Sequence, residues 1–215
     1  MSSAHAGADV TGLPKGNWVR LEAPRVGPLE ERDAPLPARI VFAAVRRREN
    51  SNRVYNIFRT MARLGTIMPT WAAFLSQVLG RGRLPKREKE LVVLRVAWRL
   101  GCIYEYGHHH HIAVHELNLP GAEIEAATAD GAAAPGTRLG AFMAFTDELI
   151  ADRSVADATW ERARRWASED ELLELCVFVG HYVMMAGVLN TAGVQLETPF
   201  SVPAKPRAGK SGPAT

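Results

Sequence analysis

The chain has 215 residues, 47% of them hydrophobic and 23% charged, with a net charge of +3. That length supports one domain or two small ones with a real core, and the composition is that of a globular protein. It lacks the concentrated positive charge a nucleic-acid face requires, and no uninterrupted apolar run reaches the roughly 18 residues of a membrane span. Two cysteines, Cys102 and Cys176, make no disulfide framework and fit a reducing compartment. The first residues lack the basic-then-apolar order of a signal peptide. The expectation is a cytoplasmic protein with neither nucleic acid nor membrane as partner.

In chain order, residues 1–35 carry Pro14, Pro24, Pro28 and Pro35 among several glycines, which predicts an extended arm rather than a helix. Pro37 opens a helix from Ala38 to about Arg48. A second runs from Val54 to Leu64, and a third starts at Met68-Pro69 and ends at Gly80 and Gly82. Pro85 begins a central helix in which Leu91, Leu94 and Trp98 share a face and valines cover much of the rest, the pattern of a buried helix. Gly101 breaks it from a second helical stretch, residues 102 to 115, stopped by Asn118, Pro120 and Gly121. A short acidic helix follows to about Ala127, then a surface loop over 128–137. Helices are predicted over Arg138 to Ala151 and Ala156 to about Trp166, and Ser168 with Glu171 has capping-box spacing for a last helix to about Thr191. Residues 199–215 read as a polar, disordered tail. No alternating strand pattern occurs. The fold class is all-α, a multi-helix bundle over residues 36–198. A faint similarity at a shift of 84 residues, Glu90-Leu91 onto Glu174-Leu175, leaves open two related helical halves.

Chemistry concentrates in the stretch after Gly101. On a helix Cys102, Glu105 and His109 fall on one stripe, and Glu105 and His109, four apart, can meet. A carboxylate beside an imidazole raises its pKa and fixes its tautomer, giving a proton donor near neutral pH. A surface ion pair would have the same spacing. The run His108 to His111 suggests metal, but consecutive helical residues diverge by 100°, and His108 and His115 lie about 10 Å apart along the axis. One helix therefore offers two ligands where zinc takes three or four, and no metal or other cofactor is expected. Glu90 has a solvated acid as its ordinary reading, Arg59 a surface arginine and His181 a core histidine.

The segments KELVVLRVA at 89–97 and YEYGHHHHIA at 104–113 resemble the carboxymuconolactone decarboxylase family, which includes the alkylhydroperoxidase D-type proteins; the clear match covers residues 54–127. The peroxidase branch of that family has Cys-x-x-Cys, a histidine four residues later and a glutamate twelve before. Its first cysteine falls on Cys102, its histidine on His109 and its glutamate on Glu90, but its second cysteine falls on Glu105, which cannot resolve an oxidised thiol into a disulfide. The resemblance thus implies a decarboxylase-like lyase acting without a cofactor on a small cyclic or unsaturated acid or lactone. In it His109 is the acid, Glu105 orients and charges it, Glu90 relays protons and Arg59 anchors the substrate carboxylate; Cys102 is counted with the catalytic residues, and Tyr106 and His181 with Arg59 as substrate-binding. It also implies a homo-oligomer: a dimer, trimer or hexamer. The alternatives are a thiol peroxidase using Cys102 with an external thiol, and a non-catalytic binding protein with the family fold.

Overall fold

The computed structural model describes residues 16–49, 52–129 and 136–197; residues 1–15 of the expected arm, most of the loop at 128–137 and the whole tail lie outside them. Among the described residues there are nine α-helices and no strand: α1 Leu36–Glu49, α2 Asn56–Met61, α3 Ile67–Gly80, α4 Lys86–Arg99, α5 Ile103–His111, α6 Gly121–Ala127, α7 Arg138–Asp152, α8 Asp157–Arg164 and α9 Glu169–Ala192. The all-α expectation holds, with boundaries within a few residues of those read from sequence. The chain forms two compact units, one of residues 83–188 with the segment up to Arg20, the other of residues 21–82 with the chain from Leu189 on.

The first unit is built on α4, which packs against α5, α6 and α7. Pro85 precedes it with extended backbone, so the missing proline N–H costs no helical bond. Leu91, Val92, Val93, Leu94, Val96 and Ala97 are all fully buried, and each Leu or Val contributes about 1.5–3 kcal/mol by leaving water. Charged groups of α4 are buried as well, and each has a partner. Lys89 Nζ donates to Glu174 Oε1 of α9 at 2.9 Å. Arg95 donates from Nε and Nη2 to the two carboxylate oxygens of Asp147 at 2.7 and 2.6 Å, and Arg99 grips the same carboxylate at 2.8 and 2.6 Å. Burial would push the Asp147 carboxyl up, but the arginines hold it below its usual range. Arg138 clasps Glu88 bidentately at 2.6 and 2.9 Å. Bidentate pairs of this kind fix α7 against α4 in register as well as in energy. At the start of α9 the capping box forms: Glu171 Oε2 accepts from the Ser168 N–H at 2.8 Å, and Ser168 Oγ accepts from the Glu171 N–H at 3.3 Å.

Gly101 makes the turn from α4 to α5. Its φ is +61°, and a Cβ there would lie 2.2 Å from the Asn17 carbonyl oxygen, so the position demands glycine. The N-terminal segment crosses this turn. Val19 N–H donates to Gly101 O at 2.8 Å, and the Trp18 ring lies 5.5 Å from Trp98 and 4.9 Å from Tyr106. The described part of the arm, residues 16–35, has no helix or strand apart from a 3-10 turn at Glu31–Asp33.

In the second unit α1 packs on α3, and Phe58 of α2 meets Trp71 of α3 at 5.7 Å. The chain from residue 21 on is held there by backbone bonds from Arg25 and Val26 to Ala192 O at 2.8 and 3.1 Å.

Candidate functional site

The stretch read as one helix over residues 102–115 is three local structures. Cys102 is the N-cap of α5, with extended backbone (φ −85°, ψ 93°); α5 itself is Ile103–His111; and Ile112–Glu116 widen into a π-turn, closed by Leu117 N–H donating to Ile112 O at 3.1 Å. Single π-turns are costly and recur at functional sites. Asn118 then turns left-handed at φ 51°, a conformation asparagine tolerates, and Pro120 ends the run.

His109 is the centre. It is buried, and both of its ring nitrogens meet a carboxylate: Nδ1 donates to Glu90 Oε2 of α4 at 2.6 Å, and Nε2 lies 3.4 Å from Glu105 Oε2, four residues back on α5. Burial is the largest influence on the imidazole and pulls its pKa down, but the charges and hydrogen bonds of Glu90 and Glu105 together exceed it and raise the pKa to about 10. His109 is an imidazolium at neutral pH. Sequence spacing assigns its charging to Glu105; the shorter contact is with Glu90, whose distance in sequence hides it from any helical-neighbour argument and which only the resemblance singled out.

The other expected residues fall as follows. Cys102 is buried, and its thiol is pushed up beyond the usual range first by burial and then by the Glu105 charge, against the backbone amides of Tyr104 and Glu105. His181 of α9 is buried, and its pKa is lowered, first by burial; it senses both Glu105 and His109, so it sits in their field as a neutral imidazole. Tyr106 packs between Trp18 and His110, whose ring stacks on it at 5.4 Å; burial raises its phenol to about 12 against a hydrogen bond with Thr128. Arg59 belongs to the second unit, where Nε donates to Leu29 O at 2.8 Å and Nη2 to Glu30 Oε1 at 2.9 Å. Tyr182, not singled out from sequence, sets its ring edge-on to His109, with centroids 5.2 Å apart and planes at 88°. The only signal for it was an aromatic in the apolar pattern of α9.

The histidine run disperses as helical geometry requires. His108 meets Tyr104 with rings tilted at 4.5 Å, His110 stacks on Tyr106, and His111 meets His115 tilted at 4.6 Å, each one turn apart. Among the described residues no group of three or more His, Cys, Asp or Glu is arranged to hold a metal ion.

Residues 66–148 match the Carboxymuconolactone decarboxylase family. No curated protein matches the chain in sequence. Among solved structures, the alkylhydroperoxidase AhpD core of an uncharacterized peroxidase-related protein from Ralstonia eutropha JMP134 is similar, with a TM-score of 0.70 at 19% identity over 80% of this chain and 93% of that one. An uncharacterized peroxidase-related protein from Silicibacter sp. TM1040 has a TM-score of 0.66 at 17% identity, over 87% and 96%. The debrominase Bmp8 has a TM-score of 0.63 at 18% identity, over 80% and 92%, and is also solved as a cysteine-to-alanine variant in complex with 2,3,4-tribromopyrrole. At these identities the likeness carries the fold.

Proposed function

We infer, for a chain whose residues 66–148 belong to the carboxymuconolactone decarboxylase family, that His109, Glu105 and Glu90 carry out cofactor-free acid–base chemistry, a decarboxylation of a small cyclic or unsaturated organic acid or lactone. The observation that supports it is the uneven clamp on His109: tight to Glu90 at Nδ1, 2.6 Å, and loose to Glu105 at Nε2, 3.4 Å. The Glu90 contact orients the ring and keeps it charged. The Nε2 proton, in the longer and weaker of the two contacts, is the one free to move. In the reaction the bond between the carboxylate carbon and the ring breaks, its electron pair enters the conjugated system as an enolate, carbon dioxide leaves, and Nε2–H protonates carbon. A proton from water then restores the imidazolium, so the net change is one carboxylate and one proton to one C–H and carbon dioxide. An acid of pKa about 10 keeps its proton through the pH range in which such substrates are ionised, and it is strong enough to quench a carbanion-like centre.

The same electrostatics disfavour Cys102 as the nucleophile. Thiol chemistry runs through the thiolate, and burial beside the Glu105 carboxylate keeps this sulfur protonated.

The test is carbon dioxide release from a panel of such acids in D2O, with deuterium located in the product. His109→Gln is expected to lower kcat by about a hundredfold or more, and Cys102→Ser to leave it within a few-fold. Unchanged turnover in His109→Gln overturns the reading. Peroxide consumption lost in Cys102→Ser would favour the thiol peroxidase, and binding without turnover the non-catalytic protein.

A further inference from the structure

The π-turn after α5 brings two imidazoles together. His111, the last residue of α5, and His115 have ring centroids 4.6 Å apart and planes tilted at 46°. His115 is exposed and His111 half-buried, so both reach the surface. Backbone bonds fix the turn that carries them. Leu117 N–H donates to Ile112 O at 3.1 Å and Leu119 N–H to Ala113 O at 2.9 Å, with Ala113 fully buried. His108 and His110 face phenol rings instead, those of Tyr104 and Tyr106. His111 lies about 200° around α5 from His109, so this pair and the His109 clamp occupy different faces.

The separation of the rings discriminates between coordination geometries. A metal about 2.0 Å from one nitrogen of each imidazole stands roughly 3.2 Å from each ring centre. Ligands at a right angle then have ring centres roughly 4.5 Å apart, and ligands at the tetrahedral angle roughly 5.2 Å. The 4.6 Å found here fits the right angle of square-planar or tetragonal copper(II) and nickel(II), not the tetrahedron of zinc. Because the rings already stand at chelating distance, little ordering is left for the ion to impose. Charge agrees. The pair stands at the C-terminal end of the helical run, where the backbone carbonyls favour a cation. Glu116 adds a carboxylate within electrostatic range of His111, and its salt bridge to Lys86 at 3.3 Å joins two exposed side chains. Burial first, and then His115, hold the His111 pKa below its ordinary value against Glu116, so at neutral pH the ring has a lone pair to give.

We propose that His111 and His115 chelate one divalent transition-metal ion, copper(II) above all, through one nitrogen each at a right angle, with water in the remaining positions. Two protein ligands make an open site and not a cage, consistent with the lack of any suitable group of three or more ligating side chains among the described residues. The bound ion ties the π-turn to the last turn of α5. A nitrogen site of this kind binds copper(II) more tightly than nickel(II) or zinc(II) and leaves calcium and magnesium, which take oxygen ligands, unbound.

The test is calorimetric titration of the full chain, without a histidine tag, with copper(II), nickel(II) and zinc(II) chlorides. A Cys176→Ser background removes the half-buried free thiol as a competing copper ligand. The expected result is one copper(II) per chain, bound more tightly than the other two ions, with an electron paramagnetic resonance signal split by two imidazole nitrogens. His111→Gln and His115→Gln should each weaken copper binding at least about tenfold, since even a residue that only supports a metal ligand is worth that much. Both side chains reach solvent, and circular dichroism checks that the variants fold. His108→Gln and His110→Gln should leave the affinity unchanged. Failure to bind copper(II) one to one overturns the proposal, and so does binding that survives both the His111 and His115 substitutions. Affinity lost equally in His108→Gln or His110→Gln overturns it too, and marks an adventitious ion only, held by the whole histidine run.

Discussion

At His109 burial and charge pull in opposite directions, and two carboxylates decide the outcome. A buried imidazole surrounded by apolar groups titrates below 6.5, as His181 does here, with burial the first cause. His109 is as buried, yet the carboxylate 2.6 Å from Nδ1 and the second at 3.4 Å from Nε2 carry it to about 10. The two histidines therefore differ in charge at neutral pH. The ring-nitrogen spectrum of the ¹⁵N-labelled protein should show His109 as the doubly protonated imidazolium at pH 8, when His110, His111 and His181, all lowered, are neutral. Glu90→Gln removes the shorter contact, and His109 should then titrate well below 10, with burial opposed by Glu105 alone. A His109 signal that turns neutral near pH 6.5 in the wild type would remove the clamp and, with it, the proton that the proposed decarboxylation transfers.

Among the elements, the α4–α5 corner places this clamp, because Glu90 comes from one helix and His109 from the other. Gly101 sets the angle between them at φ +61°, and the Asn17 carbonyl closes over the point where a side chain would stand. Gly101→Ala should cost at least about 1–2 kcal/mol for the left-handed backbone, plus the displacement of the Asn17 strand. Chemical denaturation would measure the loss. The emission of Trp18, which packs edge-on to Trp98 at this corner, should report the same displacement; a variant as stable as the wild type would mean that the corner relaxes freely. The corner was legible in sequence, as were most helix starts, because proline, glycine and the Ser168–Glu171 box act locally. The site was legible only in part. Periodicity reads neighbours three and four residues apart on one helix, so it found Glu105 and His109 but gave no reason to join Glu90 to them across nineteen residues. Nor could it foresee Tyr182 arriving edge-on from α9. It treated Cys102 as helical, whereas that residue is the N-cap, and it missed the π-turn at Ile112–Glu116, since no residue type there marks a wider ring.

For the whole molecule, the clamp couples stability to pH with a definite sign. The folded pKa of His109, about 10, lies above the 6.5 of an unfolded histidine. The folded state therefore binds a proton that the unfolded chain has released, throughout the window between those values, and stability must fall as pH rises through it. The contribution is complete below about 6.5 and gone above about 10. Its size is on the order of a few kcal/mol, a large part of the 5–15 kcal/mol that holds a domain together. Surface charge works the other way. The sequence pI of about 9.1 means that the net charge shrinks as pH rises to that value, and self-repulsion shrinks with it. Urea unfolding at pH 7, 8 and 9.5 separates the two effects. The wild type should lose stability steadily with pH, whereas His109→Gln, which has no proton to release, should start lower and stay level or rise slightly. Parallel curves for the two proteins would assign any pH dependence to other groups, and the carboxylates would then hold a neutral ring.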